Sequence, residues 1–236
     1  MRIAIVDVRA DEKTVYALEN IGLYVIPTIK IEHLYDTVAS HADMQIHYLG
    51  KNRFICAPEA FEHYKKQLPE ECILIKGSKS IGSKYPYDIL YNAAVTDGFV
   101  ICKARYTAIE ILSEYEHMGK DILNVSQGYS KCSTAIVASN AIITADEGIY
   151  KNAINNKIDT LKINEGHIEL HGMSYGFIGG ATGLIDKHML AVNGDIKNHP
   201  DASNIQAFCK QHDTELLSLT NGTLKDIGTI IANFDV

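Results

Sequence analysis

The residue best suited to chemistry is Cys132, which follows Lys131 in the polar stretch Gly128-Tyr129-Ser130-Lys131-Cys132-Ser133-Thr134. Apolar runs flank it, Ile122-Leu123-Asn124-Val125 before and Ala135-Ile136-Val137 after. Glycine permits a turn there. A cation beside a thiol favours thiolate over thiol, so Lys131 is expected to raise the fraction of nucleophile at neutral pH. A lone cysteine is otherwise a small buried apolar residue, and only its place in the whole chain separates the two readings. A second group, His167, Glu169 and His171, alternates so that on a strand all three share a face. Two imidazoles and a carboxylate suit a metal, but the sequence anchors no further ligand beside them. No metal is assigned, and Glu169 is read as a carboxylate that reaches a substrate. The run Gly176-Phe177-Ile178-Gly179-Gly180-Ala181-Thr182-Gly183 lacks the spacing of a nucleotide or phosphate loop. It is expected to let backbone segments approach closely, and no cofactor is implied.

The chain has 236 residues, with 46% hydrophobic and 22% charged, an ordinary composition for a globular core. Its formal net charge is −7 and it has no Lys/Arg-rich block, which argues against nucleic acid as a partner. No apolar run approaches the ~18 residues of a membrane span. The start, Met1-Arg2-Ile3-Ala4-Ile5-Val6-Asp7, meets charge at once, unlike a signal peptide, so a cytoplasmic location is expected. The five cysteines, at 56, 72, 102, 132 and 209, form no Cys-x-x-Cys pair and are expected to be free thiols.

Behind Cys132 lies a repeated order of elements: a polar start, two short strands, a helix and a further strand. It runs over residues 43–76, 88–125, 132–163 and about 179–219, and begins again at 226 before the chain ends. The starts are 44–47 residues apart, a period that signals a propeller or solenoid. Helices are expected over 58–67, 107–118, 147–155 and 202–212. Among the strands expected are 89–93, 99–102, 134–138, 141–144, 182–185, 189–192 and 227–233. The last unit lacks a helix and a final strand. Residues 1–40 supply both, as strand, helix and strand, with Asp11 as N-cap, Gly22 as terminator and Pro27 marking an edge strand. Joining the termini would complete a fifth unit and close the ring, leaving no open sheet edge. With no linker or composition break, 1–236 is read as one α/β domain.

This pattern resembles the pentein fold, the five-fold pseudosymmetric α/β propeller of arginine deiminases, dimethylarginine dimethylaminohydrolases and amidinotransferases. Residues 41–45, His-Ala-Asp-Met-Gln, look like the His-x-Asp segment that carries their acid/base histidine. Lys131-Cys132-Ser133 entering an apolar strand looks like their nucleophile segment. The chain is most similar to an uncharacterised bacterial group of this fold, through Tyr85-Pro86-Tyr87, the stretch 128–137 and Gly176-Phe177-Ile178-Gly179-Gly180. It departs from the enzymes in its mid-chain cysteine, in lacking a Glu-Gly-Gly-Asp segment, and in having few insertions to form a lid.

The resemblance implies a cysteine-dependent hydrolase or transferase acting on a small guanidino or amidino compound at the propeller axis. Cys132 would be the nucleophile and His41 the acid/base. Asp226 or Asp43 would orient the imidazole or accept the cation, a guanidinium fork matching two carboxylate oxygens. Asp88 and Asn92 would bond substrate nitrogens, with Lys131 and Glu169 completing the substrate-binding set. Asp43, Asp88 and Asp226 also suit turns that recur once per unit. The implied partner is a small molecule, with neither nucleic acid nor membrane. A pentein that kept the propeller as a binding protein and lost its chemistry is the other reading.

Overall fold

The computed structural model describes residues 1–234. The chain opens with β1 (Ile3–Val6), α1 (Glu12–Asn20) and β2 (Tyr24–Pro27), and a turn region leads to a short helix, α2 (Ala42–Gln45). Four units of the same order follow. The first is β3 (Ile46–Gly50), β4 (Arg53–Cys56), α3 (Phe61–Gln67) and β5 (Ile73–Lys76). The second is β6 (Ala94–Val95), β7 (Phe99–Cys102), α4 (Ile109–His117) and β8 (Asp121–Asn124). The third is β9 (Thr134–Ala138), β10 (Ala141–Thr144), α5 (Glu147–Asn155) and β11 (Asp159–Lys162). The fourth is β12 (Thr182–Asp186), β13 (Met189–Val192), α6 (Ala202–Gln211) and β14 (Glu215–Ser218), and β15 (Ile231–Ala232) comes last.

The strands form five three-stranded sheets. In each unit an antiparallel pair is followed by a helical crossover to a parallel third strand, as in β3–β4–β5. The fifth sheet joins the two ends of the chain. Strand β1 pairs antiparallel with β15, Ala4 opposite Ala232, and parallel with β2. The middle strands are mainly apolar and buried, fully so in the Ile-Ala-Ile-Val of β1, whereas the third strands are half exposed. Pro27 ends edge strand β2, where a missing donor costs no ladder bond. Asp11 caps α1 by accepting from the Lys13 N–H, and Gly22, at φ +83°, reverses the chain after it.

Two strand expectations fail. Residues 89–93 form a turn, the Asn92 N–H donating to the Ile89 carbonyl, and the strand begins at Ala94. Their apolar character reflects burial of Ile89 and Tyr91 rather than strand alternation. Of 227–233 only Ile231–Ala232 is strand. Gly228 and Thr229 take φ of +67° and +71°, which turns the backbone inward before β15.

Buried clusters join successive sheets. One packs Ile55 of β4 against Val100 of β7, another Ile101 against Ile142, a third Ile143 against Leu190. A fourth joins Ala191 to Val6, and a fifth joins Ile5 and Ile231 to Phe54. Ile46, Val95, Ile136, Leu184 and Ile231, one from the first-named or terminal strand of each sheet (β3, β6, β9, β12, β15), line a single cavity. The glycine run allows the close approach there: a side chain at Gly179 would strike the Lys131 carbonyl, and at Gly183 the Ile230 carbonyl. Gly183→Ala should therefore lower the unfolding free energy by about 1–3 kcal/mol, read by urea denaturation. Gly98→Ala, with open space around the new methyl, should stay within about 0.5 kcal/mol of the parent.

Candidate active site

The turns that precede the sheets deliver the candidate side chains. His41 is the N-cap residue of α2 and Asp43 sits in its first turn, just ahead of β3. Gln45 fixes this helix: its amide nitrogen donates to the Ile29 carbonyl at 2.9 Å, and its oxygen accepts from the Tyr64 hydroxyl at 3.0 Å. Asn92 occupies the turn before β6, and Lys131 and Cys132 the turn before β9. Asp226 precedes the inward turn to β15, and the Asp43 N–H donates to the Gly228 carbonyl at 3.2 Å.

These turns meet around one thiol. Cys132 Sγ donates to Asp43 Oδ2 at 2.7 Å, and Asn92 Nδ2 donates to Sγ at 3.4 Å. Asn92 Oδ1 accepts from the backbone N–H of Lys131 at 2.8 Å, locking the Cys132 turn to the neighbouring unit. Polar atoms of His41, Asp43 and Cys132 lie within 4.8 Å of one another. Among the described residues, this is the one place where three potential metal ligands converge. All three residues are at most 3% exposed, so water does little to screen their charges. Asp226 accepts from the N–H groups of Phe177 and Gly228, both at 2.9 Å, and the bare backbone of Gly180 packs against its carboxylate. His41 makes no side-chain hydrogen bond among the described residues, so neither Asp43 nor Asp226 orients it by direct contact. The backbone of Gly228 presses on the ring instead.

The electrostatics reverse the expectation of a thiolate. Burial pushes the Cys132 thiol well up, and the charges of Asp43 and Asp226 push it further. Burial also raises Asp43 to about 7 and lifts Asp226. It holds His41 below the usual imidazole range, against the pull of Asp226. The Lys131 ammonium donates to Thr229 Oγ1 at 2.7 Å, not to the thiol, and burial lowers it too. One ammonium does not outweigh desolvation and two nearby acids. The site therefore holds a thiol that shares its proton with a carboxylate.

A cavity of about 240 Å³ has Cys132, His41 and Asp226 among its lining residues, with Tyr35, Met173 and Phe177 as apolar walls. It continues into an outer cavity of about 590 Å³ that also touches His41 and Asp226 and adds Arg9, Glu169 and Lys225. Buried Asp7 grips the Arg9 guanidinium at 2.9 and 2.6 Å, holding a cation at this mouth. Glu169 stands here, exposed and accepting from Thr223 Oγ1 at 2.6 Å, and lines the outer cavity rather than the one that Cys132 lines. His167 packs on the ring of His199, 5.6 Å between centroids, and the His167, Glu169, His171 set does not converge on one point. Asp88 is buried beneath Tyr129, whose hydroxyl donates to Oδ2 at 2.8 Å and pairs with Tyr35 at 2.5 Å. Tyr35, Tyr129, Arg9, Met173 and Phe177 escaped the sequence reading. Tyr129 lay within the polar stretch and Arg9 sits in the turn after β1; the others come from turns at 31–40 and 170–177, which wall the pocket without any large insertion.

Asp43 is held protonated far above the value it has in an unfolded chain, so its contribution to stability is complete at low pH and lost as pH rises through about 7. Asp43→Asn should flatten the fall in stability between pH 4 and 7, followed by urea midpoints. The same change removes the charge that raises the thiol. Iodoacetamide at pH 8 should then label Cys132 about tenfold faster than in the parent, for a shift of about one pK unit.

No curated protein sequence matches the chain. Solved structures do match its fold. An amidinotransferase of saxitoxin biosynthesis from Microseira wollei aligns at TM-score 0.58 and 11% identity, over 95% of this chain and 88% of that one. A C. jejuni agmatine deiminase with substrate bound aligns at 0.53 and 11%, over 92% and 79%. A dimethylarginine dimethylaminohydrolase bearing an S-methyl-L-thiocitrulline adduct aligns at 0.55 and 12%, over 92% of both chains. At such identities the likeness is one of fold, the pentein fold. A family model described as a family of unknown function, DUF6873, matches residues 5–231, and the chain belongs to that family.

Proposed function

We propose that this chain is a cysteine-dependent hydrolase or transferase acting on a small guanidino or amidino compound. The observation that carries the reading is the Cys132 thiol bonded to Asp43 with His41 within 4.8 Å, beside a pocket that Cys132, His41 and Asp226 line. The pentein fold supports it, and we take the five sheets to form a closed ring whose axis carries the site. A planar cation placed against Asp43 and Asp226 favours their ionised forms, because an opposite charge lowers a carboxylic pKa. It also offsets the negative field that keeps Cys132 protonated. The substrate thus activates its own nucleophile.

The thiol proton passes to Asp43 as sulfur bonds to the amidine carbon. It then goes to the departing amine as the carbon–nitrogen bond breaks, leaving an S-amidino cysteine. His41, kept neutral by burial, takes a proton from water, or from an acceptor amine in a transferase, as that nucleophile attacks and the thiolate leaves. Asn92 steadies the sulfur. Asp88, under Tyr129, shapes the wall, and Arg9 and Lys225 at the mouth suit a carboxylate on the far end of the substrate. Glu169 there suits an amino group.

Arginine, agmatine, methylarginines and creatine-like compounds, screened for ammonia or amine release, test this directly. At least one should turn over, and Cys132→Ser should abolish its release while His41→Ala lowers it by about 10²–10⁴-fold. Binding of such a compound without release, unchanged in Cys132→Ser, would instead establish a pentein that binds and does no chemistry.

A further inference from the structure

A second cavity approaches the site from behind. It measures about 110 Å³ and is lined by one strand from each of the five sheets. It continues through Tyr48, Val95 and Phe234 into a further cavity of about 230 Å³. Lys131 and Asp43 line the inner part, which contains neither Cys132 nor His41. The Lys131 ammonium has three donors and uses one, on Thr229. Asp43 Oδ1 is buried with no partner. Apart from these groups and His47, the inner walls are largely aliphatic: Ile46, Val95, Ile136, Leu184, Ile230 and Ile231. Among the described residues, Asp43 is the one acid lining either part.

We propose that this rear cavity is a regulatory site for a short-chain aliphatic carboxylate, its head group on Lys131 and its tail along the aliphatic walls. A hydrated inorganic anion gains nothing from such walls, and a neutral alkane leaves the spare ammonium donors unfilled. Beside Asp43 the carboxylate is tolerated when Asp43 carries its proton, so the ligand holds that proton in place. Cys132 then stays a thiol and the site is turned down. The charged or titratable neighbours of Asp43 are His41, Cys132, Lys131, Asp226 and His47. Burial lowers His47 to about 4 and raises Asp43 to about 7, and it is the Asp43 proton that the ligand engages. Binding tightens as pH falls through that value.

Calorimetric titration of the full chain with sodium hexanoate and with 1-hexanol, at pH 6 and pH 8, tests the site without any substrate. One hexanoate should bind per chain, several-fold tighter at pH 6, with hexanol weaker by about tenfold, the worth of one ionic head group of about 1.4 kcal/mol. Saturating hexanoate should slow iodoacetamide labelling of Cys132 several-fold. Leu184→Trp, which fills the aliphatic channel, should remove hexanoate binding and leave labelling without hexanoate unchanged. Lys131→Met should lose hexanoate and keep hexanol. Absence of hexanoate binding, equal affinity for the alcohol, or undiminished binding in Leu184→Trp would overturn the assignment. None of these outcomes depends on turnover of a guanidino compound, so failure here leaves the front-pocket reading standing.

Discussion

The hydrogen bond from Cys132 to Asp43 is the interaction on which the rest of the site depends. It joins the turns before two different sheets, 89 positions apart in sequence, in surroundings almost closed to water. A carboxylate buried there costs several kcal/mol if ionised and unpaired. Sharing a proton with a thiol removes much of that cost and gives the pair a single mobile proton. Asn92 holds the geometry by bonding both the sulfur and the backbone of the Cys132 turn. The close packing at Gly179 and Gly183, and the inward turn at Gly228 and Thr229, bring the contributing turns near enough for this pair to form.

The electrical arrangement then runs in layers. Carboxylates cluster around the thiol, cations stand at the outer mouth, and a further ammonium lies behind the pair. The front pocket thus suits a molecule whose planar cation enters first and whose acidic end stays outside. Lys131, adjacent to Cys132 in sequence, serves the opposite side of the pair. Its backbone N–H ties the Cys132 turn to Asn92, while its side chain lines the rear cavity.

The repeat was legible because each unit restarts with a polar turn at a constant interval, and the terminal pairing followed from an incomplete last unit. His41, Asp43, Asn92, Cys132 and Asp226 fall on those restarts, so a periodic reading brings them together. The thiolate expectation failed because sequence adjacency of Lys131 and Cys132 says nothing of side-chain direction, and burial dominates the titration of the thiol. Glu169 lies not on a strand with two histidines but beside Lys225, with which it makes an isolated bridge, in the outer cavity that His41 and Asp226 also line. Tyr35, Arg9 and Met173 come from turns whose role depends on tertiary contacts alone. Arg9 reaches the mouth through Asp7, a pairing of nearest neighbours that no motif announces.

The central claim is that a bound cation converts Cys132 from a protonated thiol into a nucleophile. Inactivation by cationic 2-chloroacetamidine and by neutral 2-chloroacetamide, followed at pH 7 with the modified residue located by mass spectrometry, measures this directly. The amidine should modify Cys132 alone, and faster than the amide by about a hundredfold beyond their ratio on a free thiol, roughly two pK units of activation. Equal relative rates, or amidine modification spread over other cysteines, would contradict it.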